Sequence, residues 1–169
     1  ATALEMENDL NTHEVELEMQ NEELRATHLK LKHSVDEFIQ FFDYAPMAYF
    51  ILNKDGVIKN LNIKACDLIG NPIKALGKPI STYIDGEANQ DDFYRQRNHI
   101  FETSLSNQIE SKIRKKDGTI CHVLIETSFI KDENNNFKHL LSAITDITSQ
   151  KKTEQQLQYK INELNTFTY

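Results

Sequence analysis

The chain has 169 residues, 39% of them apolar, enough for one buried core with appendages. Its 26 acidic side chains outnumber 19 basic ones, and the resulting formal charge of −7 has the wrong sign for binding nucleic-acid phosphates. The longest apolar run, Ala45 to Leu52, is eight residues long and contains a proline, against the roughly 20 residues of a membrane helix, so no membrane contact is expected in this segment.

Residues 1–37 hold ten acids and three bases and carry the whole net charge, since the rest of the chain holds sixteen of each. They contain no glycine or proline and place Leu10, Leu17, Leu24 and Leu31 at seven-residue spacing, which predicts one long helix with a leucine seam. The seam is thin, because four residues after these leucines come Glu14, Asn21, His28 and Val35. Met6, Val15, Met19 and Leu29 form a second partial stripe, suited to a dimeric bundle or to packing on the domain that follows. The alternative is a solvated acidic helix.

From about Phe41 to Ile147 the texture changes, and all five glycines and all three prolines occur here. Met47–Asn53 and Val57–Leu61 are β-rich runs around Lys54-Asp55-Gly56, the pattern of a hairpin. Leu61, Ala65, Leu68 and Ile69 have helical spacing and stop at Gly70, and Asn71-Pro72 opens a second short helix closing near Gly77. A third helix is predicted from about Asp91 to Leu105, with Phe93, Arg97, Ile100, Phe101 and Leu105 on one face. Three strands follow: one in which Ile109, Ser111 and Ile113 alternate with charged residues before Asp117-Gly118, one over Thr119–Ile130, and one over Phe137–Ile147 after the Asn134-Asn135-Asn136 turn. Strands with helices gathered between them predict an α+β fold, an antiparallel sheet with helices on one face. A last helix, from about Ser149 to Asn165, has only the thin apolar edge Leu157, Ile161 and Leu164 and should pair with a copy of itself.

This pattern resembles a PAS domain flanked by signalling helices. The resemblance rests on Ala45-Pro46-Met47-Ala48 leading into a strand, Asp55-Gly56 in the first turn, and Asn62, Ala65, Leu68 and Gly70 along the next helix. Leu76-Gly77-Lys78-Pro79, the late hairpin Lys115-Lys116-Asp117-Gly118-Thr119 and the closing Asp146-Ile147-Thr148 complete it. It implies a five-stranded antiparallel sheet and a division into an N-terminal signalling helix (1–37), a sensory domain (38–148) and an exit helix (149–169) leading to an output domain. The run from His13 to Leu24 is similar to helices that precede PAS domains in bacterial sensor proteins. Glu163-Leu164-Asn165-Thr166-Phe167-Thr168-Tyr169 resembles the stretch before the phospho-accepting histidine of sensor histidine kinases. The implied function is a sensory module that couples a small-molecule ligand or a partner to a histidine kinase, as a parallel homodimer through Leu10, Leu17, Leu24, Leu31, Leu157, Ile161 and Leu164. A constitutive dimerisation module whose pocket is filled by its own side chains, and an input to a diguanylate cyclase, are the alternatives.

The family also implies a pocket between sheet and helices, walled here by Phe93, Arg97, Ile100, Phe101, Ser111, Ile113, Ser142 and Ile144. Arg97 on an apolar face needs a carboxylate or a route to water, so a small acid would satisfy it, and so would Glu102 or Glu126. The pattern names no cofactor and argues against haem and flavin: His99 lies about 200° round the helix from Arg97, and the cysteine motif of flavin photosensors is absent. Cys66 and Cys121 read as structural thiols. With no disulfide framework and no secretory signal, a cytoplasmic location is expected, and membrane spans elsewhere in a longer parent stay open. No nucleotide loop, metal spacing or nucleophile arrangement is visible, so no catalysis is expected of this chain itself. Asp146 and Thr148 are the expected joint: the exit helix opens with Lys151 and Lys152, which its dipole disfavours, so Asp146 supplies negative charge and Thr148 can accept a bond from a free backbone N–H.

Overall fold

The computed structural model describes residues 2–167; Ala1, and the Thr168 and Tyr169 that end the carboxyl-terminal motif, lie outside the described residues. The chain divides into two compact units between Phe41 and Phe42.

Most of the first helix, α1 (Ala3–Asp43), forms the first unit. It runs six residues past the expected end at 37, because nothing in Phe38–Asp43 breaks a helix and the first obstacle is Pro46, which restricts Ala45 before it. The four heptad leucines of α1 are between 58% and 69% exposed.

The second unit contains a five-stranded sheet with the expected antiparallel pairing. Its strands are β1 (Ala48–Leu52), β2 (Ile58–Leu61), β3 (Asn107–Arg114), β4 (Ile120–Lys131) and β5 (Phe137–Asp146), in the order β2-β1-β5-β4-β3. Pairing of β1 with β5 sets Ala48 opposite Ile144, so the first and last strands of the unit are central neighbours. The hairpin between β1 and β2 turns at Gly56, whose φ of +81° suits glycine and where the ring of Phe93 stands 3.4 Å from the place of a Cβ. Between β2 and β3 lie α2 (Ile63–Ile69), α3 (Pro72–Ala75), a 3₁₀ turn (Ile80–Tyr83) and α4 (Glu87–Thr103).

Asn62 holds one corner of this arrangement together. Fully buried, it accepts the N–H groups of Ala65 and Tyr49 at 3.0 Å each, and it donates to the carbonyls of Phe42 and Met47 at 2.8 Å each. One side chain thus caps α2 and ties it to the entry of β1.

Helix α4 begins four residues before the expected Asp91. Its first turn, Glu-Ala-Asn-Gln, has no apolar face to betray a helix; it is held instead by polar side chains, Asn89 donating to the Asp85 carbonyl (2.7 Å) and Gln90 to those of Ser81 and Ile84 (3.1 Å each). From α4, Phe93 and Ile100 enter a core made with Phe50, Leu52, Ile58, Ile113, Val123, Ile125 and Leu140, all without exposed surface. The last helix, α5 (Thr148–Phe167), leaves the sheet after β5, and Leu157 and Ile161 on it are exposed.

Candidate functional site

Six of the eight residues expected to wall an interior pocket are buried: Phe93, Ile100, Ser111, Ile113, Ser142 and Ile144. Alternation along the strands decides this, since Ser111 and Ile113 on β3, and Ser142 and Ile144 on β5, occupy inward positions two residues apart. The Ser142 hydroxyl is satisfied by Thr127, 2.8 Å away and equally buried. Phe101 is half-buried and completes an aromatic triangle with Phe129 and Phe137, at centroid distances of 5.4 and 5.0 Å.

Arg97 departs from its expected place on the apolar face. It is half-buried at the edge of α4, with its guanidinium carbon 5.1 Å from the centre of the Tyr94 ring and Nη2 donating to Asn98 Oδ1 (3.2 Å). Among the described residues it forms no ion pair with Glu102 or Glu126. The polar residue that turns inward is its neighbour Gln96, only 3% exposed. Its amide nitrogen donates to the carbonyls of Asn107 (3.0 Å) and Ile125 (3.4 Å). Two carbonyl acceptors fix the orientation of the amide, so Gln96 Oε1 is the acceptor that remains, and it is buried with no partner in the protein. The Ser111 hydroxyl, also buried, has none either.

At the end of β5, the sequence Asp146-Ile147-Thr148 joins the strand to α5 through a chain of short bonds. Asp146 Oδ1 accepts the N–H (2.9 Å) and the hydroxyl (2.6 Å) of Thr148. The N–H that Thr148 Oγ1 accepts belongs to His122 of β4 (3.1 Å), so the threonine binds the new helix to a strand and not, as expected, to a free N–H of the helix start. Ile147 donates to the His122 carbonyl (2.8 Å), and Lys115 in the β3–β4 hairpin reaches Asp146 Oδ2 (3.3 Å). Lys151, expected to weaken the helix start, is instead placed against Glu110 of β3 (2.6 Å) and Glu154 (3.6 Å). The start of α5 is therefore tied to β3, β4 and β5. These partners were not legible beforehand, because they depend on strand register. Burial pulls the Asp146 carboxyl upward, but the bonds from Thr148 and the ammonium of Lys115 outweigh it and hold the carboxyl below its usual value. The same bond raises Lys115, and the Glu110 carboxylate raises Lys151.

His99 is exposed. Burial pushes the Cys66 and Cys121 thiols up, with nearby carboxylates adding to the rise. Among the described residues no group of three or more His, Cys, Asp or Glu could hold a metal ion, and no helix is long and apolar enough to cross a membrane.

The family model described as "PAS domain" matches residues 46–149. No curated protein matches the chain. Among solved structures, the PAS domain of an HTR-like protein from Haloarcula marismortui is similar at 19% identity and a TM-score of 0.63, over 73% of this chain and 99% of that one. A PAS domain from Colwellia psychrerythraea is similar at 22% and 0.61, over 68% and 98%. The PAS domain of the quorum-sensing receptor RpfR from Cronobacter turicensis, solved in complex with BDSF, matches at 22% and 0.53, over 62% and 96%. At these identities the likeness concerns the fold.

Proposed function

The chain belongs to the PAS domain family and is a sensory module of signalling, and from that premise we propose that it passes the occupancy of its interior, by a small molecule or a partner, to α5 as a parallel homodimer feeding a histidine kinase. The observation that carries the coupling is the junction at Asp146 and Thr148, where three strands grip the first turn of a helix. A ligand that binds one arrangement of the sheet better than another shifts α5 by no more than that difference in affinity. Dimerisation is supported by the exposed heptad leucines of α1 and by Leu157 and Ile161 on α5. The kinase output is supported by the sequence from Glu163 onward, which resembles the approach to a phosphoacceptor histidine. In this reading the chain itself carries no catalytic step and labels only when joined to its downstream sequence.

The test is Asp146→Ala in the protein that includes the output domain. We expect output to lose its dependence on the input signal while circular dichroism of the domain is unchanged. A variant that signals normally, or one whose domain unfolds, refutes the coupling role.

A further inference from the structure

We propose that α1 pairs with α1 of a second copy in antiparallel sense, so that each leucine of its seam faces a polar residue of the partner. This rests on the dimer reading above and adds the direction of one helix pair. A two-fold axis relates helices that cross it as antiparallel and helices that run along it as parallel, so α1 and α5 can pair in different senses within one dimer.

Charge is the first ground. Residues 3–24 of α1 carry eight carboxylates and no lysine or arginine, whereas residues 25–33 carry Arg25, Lys30 and Lys32 and no carboxylate. Among the described residues these three cations form no ion pair within the chain. A parallel pair sets the acidic stretch beside its own copy, which repels it. An antiparallel pair lays part of that stretch, with Glu14, Glu16 and Glu18, along the basic stretch of the partner.

The seam supplies the register. Glu14, Asn21 and His28 stand four residues after Leu10, Leu17 and Leu24, at the positions that alternate with leucines along a coiled-coil seam. In a parallel pair each of them meets itself, Glu14 against the partner's Glu14. With the helices reversed and Asn21 opposite the partner's Leu24, Glu14 falls opposite the partner's Leu31 and His28 opposite the partner's Leu17. Beside the seam, the same register sets Glu18 against the partner's Arg25, twice by symmetry.

The surface of α1 also holds a socket for such a leucine. Leu24, Thr27, His28 and Leu31, with Arg25 and Leu29, line a groove of about 680 Å³, and all six are exposed. Residues spaced like the first four form the hole into which a coiled coil inserts one side chain. The antiparallel register brings Leu17 to this hole. The parallel one brings a second His28, a polar ring set against leucines.

Distances between nitroxide labels in the full chain, with Cys66→Ala and Cys121→Ala, test this by pulsed electron resonance. One label per subunit is attached at Asn8→Cys or at Glu22→Cys, both off the seam. In the register above the two labels at Asn8→Cys stand about 45 Å apart, with about 29 residues of helix rise between them, and those at Glu22→Cys lie within about 20 Å, two helix diameters. Short distances at both positions are those of a parallel pair and overturn the inference while leaving the dimer in place. Distances of 45 Å or so at both positions mean that α1 does not face α1, and overturn it as well. In the chain with its own cysteines, Arg25→Glu and Glu18→Arg should each weaken dimerisation about tenfold in sedimentation, since two attractive pairs become repulsive. The combined variant should recover most of the loss, because the pairs are restored with their signs exchanged. No recovery overturns the register. A monomeric wild-type chain overturns both this inference and the dimer reading, and the coupling role is judged separately, by Asp146→Ala.

Discussion

The sheet domain and the helix α1 use similar apolar residues to opposite ends. In the sheet domain, Phe50, Leu52 and Ile58 on the strands and Phe93 and Ile100 on α4 are wholly hidden in one core. In α1, Leu10, Leu17, Leu24 and Leu31 are all more than half exposed, on a helix with no partner strand of its own. Burial stabilises a fold in proportion to apolar area removed from water, so the first set stabilises the unit by itself and the second can contribute only in an assembly.

The largest expected effect breaks that contrast from the core side. Phe93→Ala should destabilise the domain by about 3–5 kcal/mol in urea unfolding, through a cavity facing Gly56 and the sheet. Leu17→Lys with Leu24→Lys should leave the unfolding of the sheet domain unchanged while light scattering reports conversion of dimer to monomer. A wild-type chain that is monomeric at high micromolar concentration, or a double variant that stays dimeric, would show that the exposed leucines have no partner to lose.

A smaller effect separates polar from apolar contributions inside the core. Asn62→Ala leaves two N–H donors and two carbonyls to find other partners where α2 meets β1. It should cost about 2–4 kcal/mol, less than Phe93→Ala if water enters the site, and Asn62→Asp should recover part of it by restoring the α2 cap. Equal stability of Asn62→Ala and wild type would mean that the corner is held by packing alone.

The smallest expected effect is electrostatic and lies at the border between the sheet and the exit helix. The folded carboxyl of Asp146 sits below its usual value, so the unfolded chain binds its proton at higher pH than the folded one. Its stabilisation is therefore complete above about pH 4, the unfolded range of an aspartate, and fades as pH falls through the lower folded value. Thermal unfolding of wild type and Asp146→Asn should differ by a constant amount at neutral pH, and the curves should converge in acid. Because this side chain is 40% exposed, salt should shrink the gap at neutral pH. Parallel curves down to pH 2 would assign the difference to hydrogen-bond geometry without charge.

Much of this molecule could be read from residue order alone. Heptad leucines, turns at Asp55-Gly56 and Asp117-Gly118, the inward serines of β3 and β5 and the closing Asp-Ile-Thr are local signals, because a period of two or seven and a positive φ need only neighbours in the chain to be recognised. The polar wall of the interior was not of that kind. At 100° per residue, Gln96 and Arg97 lie about 50° to either side of the line through Phe93 and Ile100, so periodicity assigns the buried position to neither. Rotation of α4 about its axis decides between them, and that rotation is set by packing against β3 and β4, where Asn107 and Ile125 offer carbonyls that a glutamine amide fits, while Arg97 meets the Tyr94 ring and Asn98 at the edge. The same holds for the junction. Sequence places Asp146 beside Thr148, but which backbone N–H the threonine accepts depends on β4 lying next to β5 with Val123 opposite Asp146, a register that only the assembled sheet defines.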